Sequence, residues 1–189
     1  MRTMKNRLMK LKASSGFTLT ELIVAMSVFI IATTIISGVF VRAVRTQRQV
    51  GQLMAINSDA SLIIERIARE IRSGYDFMLS NTNCVVGNDL IIFTRPKGAA
   101  TTTIAYRWDA SSGAVERAES VGGITDTDYG VLNASQTKIG RLCFIKMQTG
   151  DNPWRITVIL TVGSQDDQLA SETYLQTTVS SRILPIDLD

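Results

Sequence analysis

Hydrophobic and polar positions divide the chain into three regimes. From Leu22 to Val41, twenty consecutive residues carry no charge. A helix of that length spans about 30 Å, roughly the hydrocarbon core of a bilayer. The run is rich in Ile, Val and Thr, which in water would suggest a strand, but in lipid only a helix satisfies its own backbone. Beyond Arg42 the pattern turns amphipathic. Leu53, Ile56, Ala60, Ile63, Ile64, Ile67 and Ile71 recur at three- and four-residue steps and make one apolar stripe. Phe17 to about Ser73 therefore reads as one long helix in two halves, 17–41 for the membrane and 42–73 amphipathic. The stripe suits packing against the chain's own sheet from Leu53 onward, whereas Arg45 to Gln52 is too polar for a core and reads as a stalk. Gly38 permits bending or local melting near the end of the span, at about 1 kcal/mol relative to Ala. Glu65 and Arg69 form an i,i+4 pair on the polar side. Ser73-Gly74, with Arg72 in the last turn, is a stop.

After Gly74 the period shortens to two, and residues 74–189 read as a β-rich domain. Leu90 to Arg95 is a strand closed by Pro96-Lys97-Gly98. Thr102 to Trp108 and Ala114 to Ala118 flank the turn Asp109-Ala110-Ser111-Ser112-Gly113 and predict a hairpin. Val121 to Lys138 is loop-like. Arg141 to Gln148, Trp154 to Val162 and Thr173 to Leu184 are longer strands, the last two paired as a hairpin around Gly163-Ser164-Gln165-Asp166-Asp167. The fold class is α+β.

The residues before the apolar run change the picture. Arg2, Lys5, Arg7, Lys10 and Lys12 lie in front of it, with no acid among the first sixteen residues. A secretory signal peptide has a shorter apolar region, about 7–15 residues, with its small residues behind it. Here Ala13, Ser14, Ser15 and Gly16 come before it. A plain signal anchor accounts for length and leader charge but not for Glu21. An ionisable group near lipid costs on the order of 2.5–3.5 kcal/mol on insertion scales and usually has a role.

Basic leader, Gly16, Phe17, Thr18, Leu19, then Glu21 and a membrane-length run to Val41 together resemble the type IV prepilin signature, shared by type IV pilins and pseudopilins. The resemblance implies a pilin-like fold, a long helix packed on an antiparallel sheet. It also implies that residues 1–16 are a leader cut between Gly16 and Phe17 by a prepilin peptidase, with methylation of the new Phe17 amine. Glu21 would neutralise that amine on a neighbouring subunit during assembly. The implied partners are other pilin or pseudopilin subunits, the peptidase, an inner-membrane assembly platform and the lipid bilayer. Ile67-Ala68-Arg69-Glu70-Ile71-Arg72, and Tyr106-Arg107-Trp108-Asp109 followed by Gly113 and Arg117, look like the larger minor subunits, J-type pseudopilins and W-type minor pilins. By the positive-inside rule the leader stays cytoplasmic, and Arg42, Arg45 and Arg48 weaken that asymmetry without reversing it. The expectation is a single-pass inner-membrane protein with an extracytoplasmic C-terminal domain, associated with a filament after assembly.

Charge and composition narrow the rest. The chain has 189 residues and a formal charge of +3. The leader holds five of the positives, so from Phe17 onward 15 basic residues face 17 acidic ones. No electrostatic footprint for nucleic acid remains. The chain has no His, which removes Ser-His triads, Cys-His dyads and His metal sites. No cofactor and no metal is expected. Cys84 and Cys143 are either a disulfide, permitted outside the cytoplasm, or two separate buried thiols. Asp126, Asp128 and Asp151 fit a calcium loop less well than solvated turns, because their spacing is not that of an EF-hand. Trp108 and Trp154 read as core rather than as partner anchors. The rival to a filament subunit is a membrane-anchored extracytoplasmic enzyme or ligand-binding module.

Overall fold

The computed structural model describes residues 16–80, 84, 89–98, 100–147, 152–165 and 172–183. One helix, α1, runs unbroken from Leu19–Arg72. Eight strands follow: β1 (Tyr75–Leu79), β2 (Leu90–Lys97), β3 (Ala100–Asp109), β4 (Ala114–Ser120), β5 (Gly130–Val131), β6 (Thr137–Met147), β7 (Arg155–Ser164) and β8 (Thr173–Ser180), with a short 3-10 turn at Asp126–Asp128 before β5. This is the expected α+β arrangement. The antiparallel strands form two sheets rather than one, in the orders β1-β2-β3-β4-β5 and β6-β7-β8. The chain divides into two compact units after Gln47.

In the first unit, every large apolar side chain from Leu22 to Val41 is exposed, as a helix without a protein core around it requires. The hydroxyls within this run are satisfied by the helix itself. Ser27 Oγ donates to the carbonyl of Val24, Thr33 to Phe29, Thr34 to Ile30 and Ser37 to Thr33, each at 2.8 Å. Back-bonding of this kind leaves no hydroxyl asking lipid for a partner. Gly38 does not interrupt the helix.

In the second unit, the amphipathic stripe is buried at Ile56, Ala60, Ile63, Ile67 and Ile71, with Ile64 packed at its margin. It joins Phe77, Ile91, Phe93, Ile104, Tyr106 and Val115 of the larger sheet, and Leu142, Phe144, Ile156, Val158 and Leu160 of the smaller one, in one hydrophobic cluster. Burying such side chains is worth about 1.5–3 kcal/mol each. Arg45 to Gln52 is exposed throughout. The two sheets meet where Ile139 N–H of β6 donates to the Gly113 carbonyl at 2.8 Å, and Trp108 Nε1 donates to the Ile139 carbonyl at 3.1 Å.

The helix stops where the sequence places the stop. Ser73 and Gly74 N–H groups take up the Glu70 and Ile71 carbonyls. Gly74 is required by space: a Cβ there would lie 2.5 Å from Cδ2 of Phe93. Several strand limits differ from expectation. β2 continues through Pro96, which pairs with Thr101, and turns only at Gly98 with φ +66°. β8 ends at Ser180 instead of reaching Leu184. The next residues are taken by the helix end: Ser181 Oγ donates to the Gly74 carbonyl at 2.6 Å and Arg182 N–H to the Arg72 carbonyl at 2.9 Å. The hairpin β3-β4 forms as the turn signal predicts, and β7 and β8 pair as expected, but Gly163 and Ser164 of the second predicted turn belong to β7, and its Asp166 and Asp167 lie outside the described residues. In the first, Asp109 accepts hydrogen bonds from Ser112 and Ser111, which hold its carboxyl down at about 2.

Candidate functional site

Three helix-start residues define the site. Gly16, Phe17 and Thr18 lie ahead of the helix, and Phe17 is 81% exposed. The bond between Gly16 and Phe17 thus sits ahead of the helix rather than in a helical turn. Thr18 is the N-cap: its Oγ1 accepts from the Glu21 N–H at 3.3 Å, and its carbonyl accepts the first helical bond, from Leu22 N–H at 3.1 Å. Thr18-Leu19-Thr20-Glu21 is the sequence of a capping box, and a carboxylate in a helix's first turn is favoured by the exposed N–H groups there. Sequence reasoning missed this second role of Glu21, although the S/T-x-x-E spacing signals it.

The chemistry of the site follows from isolation. Glu21 is the only charged side chain between Phe17 and Val41. Phe17, Glu21, Ala25 and Phe29 recur every four residues, and with Leu22 and Met26 they line one groove along the helix surface. A carboxylate on such a surface is available to a cation brought by another molecule, and its value rises as water is excluded. The helix carries a window of mean hydropathy 2.4 and is long and apolar enough to cross a membrane.

A second constellation lies in the β-rich unit. Glu70 extends the apolar stripe yet is only 7% exposed. It accepts hydrogen bonds from Tyr106 Oη at 2.6 Å and from Arg117 Nε and Nη2 at 3.0 and 2.9 Å. Arg117 also reaches Glu119 at 2.6 Å, and Lys97 reaches Glu119 at 2.8 Å. Burial works against the Arg117 charge, but its bonds to Glu70 and Glu119 outweigh that and hold its pKa above the ordinary range. Burial and the Glu70 hydrogen bond push the Tyr106 hydroxyl up. Every charge here is matched, so the group is a clamp between helix and sheet rather than a reactive centre.

The remaining sequence candidates take structural places. Asp126 pairs with Arg107 at 2.8 Å, and Arg107 lies 3.7 Å over the ring of Tyr129. Asp128 accepts from Thr125 N–H and Oγ1 at 2.7 and 2.8 Å. Both are turn-shaping acids; Asp151 lies outside the described residues. Trp154 is buried in the core, and Trp108 is packed against it. Cys84 and Cys143 are joined in a disulfide with Cα atoms 5.5 Å apart, within the usual span of about 4.4–6.8 Å.

Comparison with known proteins touches the first of these sites. Residues 11–37 match the prokaryotic N-terminal methylation motif, the segment that holds Gly16, Phe17 and Glu21. The chain therefore carries the N-terminal motif of type IV pilin-like or pseudopilin substrates of prepilin peptidase, on a helix suited to membrane anchoring. No curated protein and no solved structure matches the chain.

Proposed function

We propose that the chain is a minor pilin or pseudopilin, a structural subunit of a type IV pilus-like filament in a type II secretion, pilus or DNA-uptake machine. The observation that carries this reading is the match of residues 11–37 to the methylation motif, on a helix whose membrane-length half holds one carboxylate, Glu21, in its first turn. A prepilin peptidase cuts after Gly16 in the unwound segment ahead of the helix, and Phe17 becomes the methylated N-terminus. The leader faces the cytoplasm, and the β-rich unit lies outside the inner membrane. The role is architectural, not catalytic. Within this reading, the resemblance of residues 67–72, and of Tyr106-Arg107-Trp108-Asp109 with Gly113 and Arg117, to the larger minor subunits assigns the chain a J-type or W-type position.

In this reading Glu21 receives the Phe17 ammonium of a neighbouring subunit as the helices bundle and water is excluded. Removing one member of a buried pair typically costs about 3–5 kcal/mol, while removing a charge from a lipid-facing helix does not hinder insertion. The test is the Glu21→Ala protein expressed with its filament partners and assembly platform. Normal membrane level with loss of co-purifying subunits is expected. Equal recovery of those subunits by wild type and variant would remove Glu21 from the assembly role.

A further inference from the structure

A carboxylate withdrawn from water needs a hydrogen-bond donor or a cation. Asp89, which enters β2, is only 4% exposed, and its Oδ1 has no hydrogen-bond partner among the described residues. Its backbone is fixed, because its carbonyl accepts the Trp108 N–H at 3.3 Å. The Arg141 charge acts on it, and its carboxylate lies beside the disulfide. The sulfurs of Cys84 and Cys143 and a carboxylate oxygen of Asp89 all lie within 4.8 Å of one another. Cys143 is fully buried on β6, and Cys84 is half-buried.

We propose that Cys84, Cys143 and Asp89 form a redox-gated metal site, closed while the sulfurs are bonded and open to a zinc-type divalent cation once they are reduced. Reduction needs a dithiol. One of its thiolates attacks one sulfur of the bridge, and the other sulfur leaves as thiolate. The second dithiol sulfur then attacks the first and displaces the remaining cysteine as thiolate, so the dithiol becomes a disulfide while Cys84 and Cys143 gain two electrons and two protons. Cation binding releases those two protons, since thiolates are the ligands. Two thiolates and one carboxylate then supply three ligands, with the fourth tetrahedral position left to water.

The donor set and its spacing decide the ion. Two sulfurs and one oxygen suit zinc, whereas calcium and magnesium demand oxygen shells. Bond lengths of about 2.3 Å to sulfur and about 2.0–2.2 Å to oxygen put neighbouring ligand atoms about 3.5–3.8 Å apart, reachable by small side-chain rotations from a cluster this tight. Oxidation shuts the site because bridged sulfurs carry no charge. In the reduced state the cation answers both the unmet oxygen of Asp89 and the repulsion among three anions. Bond and ion are thus alternative fastenings of residue 84 to β6.

The test uses the full chain in detergent, reduced with excess dithiothreitol, freed of reductant without oxygen, and titrated with Co2+. The expected result is one Co2+ per chain, with thiolate-to-cobalt charge-transfer absorption and the visible bands of a tetrahedral site, displaced by Zn2+ and absent from the unreduced protein. Asp89→Asn should weaken binding by at least about tenfold, since even residues one step removed from a metal have effects of that size. Circular dichroism is recorded alongside. Retained or Co2+-restored strand signal with these bands supports the site. A reduced chain without the charge-transfer band, folded or not, or an Asp89→Asn protein that titrates like wild type, overturns it.

Discussion

Glu70 on the helix and Arg117 on β4 face each other in a two-point ion pair, Oε2 to Nε at 3.0 Å and Oε1 to Nη2 at 2.9 Å, across 47 residues of sequence. The pair sits at the end of the apolar stripe, and Tyr106 completes it. Geometry of this kind fixes the rotation of the helix on the sheet, because a turn of the helix would bury Glu70 without its donors. Glu70→Ala should therefore destabilise the fold by about 3–5 kcal/mol, leaving Arg117 in place of a matched pair. Thermal unfolding of the detergent-solubilised chain checks it. A change below about 1 kcal/mol would mean that Arg117 finds enough compensation in Glu119 alone.

Gly74 tests the same junction sterically. A methyl group there meets the ring of Phe93, itself fully buried and stacked on Tyr106 with centroids 6.4 Å apart. Gly74→Ala should cost about 1–3 kcal/mol by overpacking, read from the urea midpoint. An unchanged midpoint would show that the Phe93 ring moves freely.

Glu119 gives the fold an acid-sensitive contact. Lys97 first, and then Arg117, hold its carboxyl down at about 2 against an ordinary 4.5. A folded-state pKa lowered in this way contributes stability that is present above about 4.5 and lost as pH falls through about 2. The difference in urea midpoint between wild type and Glu119→Gln should thus be constant above that window and shrink within it. Because Lys97 is largely exposed, the difference should also diminish with salt. A difference that persists undiminished to pH 2 contradicts the assignment.

Much of this was readable from the chain. The uncharged run, the stripe from Ile56 to Ile71 and the Ser73-Gly74 stop give α1, because helical order depends on near neighbours. The turn at Asp109 to Gly113 gives β3 and β4 for the same reason. β1 was not readable: Asp76, with φ +52°, sits in a bulge between Tyr75 and Met78 that breaks the period of two. Nor was the split into two sheets, since it depends on whether β6 pairs back to earlier strands. The buried place of Glu70 was not readable, because its partners lie 36 and 47 residues away. Asp89 gave no signal either, since its relation to Cys143 exists only in the fold. At the helix start, by contrast, the residues that matter are adjacent, and the motif was legible whole.

Processing at that helix start is where the account is tested most directly. The full chain, expressed with and without an active prepilin peptidase, is isolated from membranes and its N-terminus sequenced. The account predicts that the peptidase shortens the chain and that the product begins FTLTE, with methylated Phe17 first, while Gly16→Leu leaves the precursor intact. A start at any other residue, or a chain unchanged by the peptidase, would contradict it.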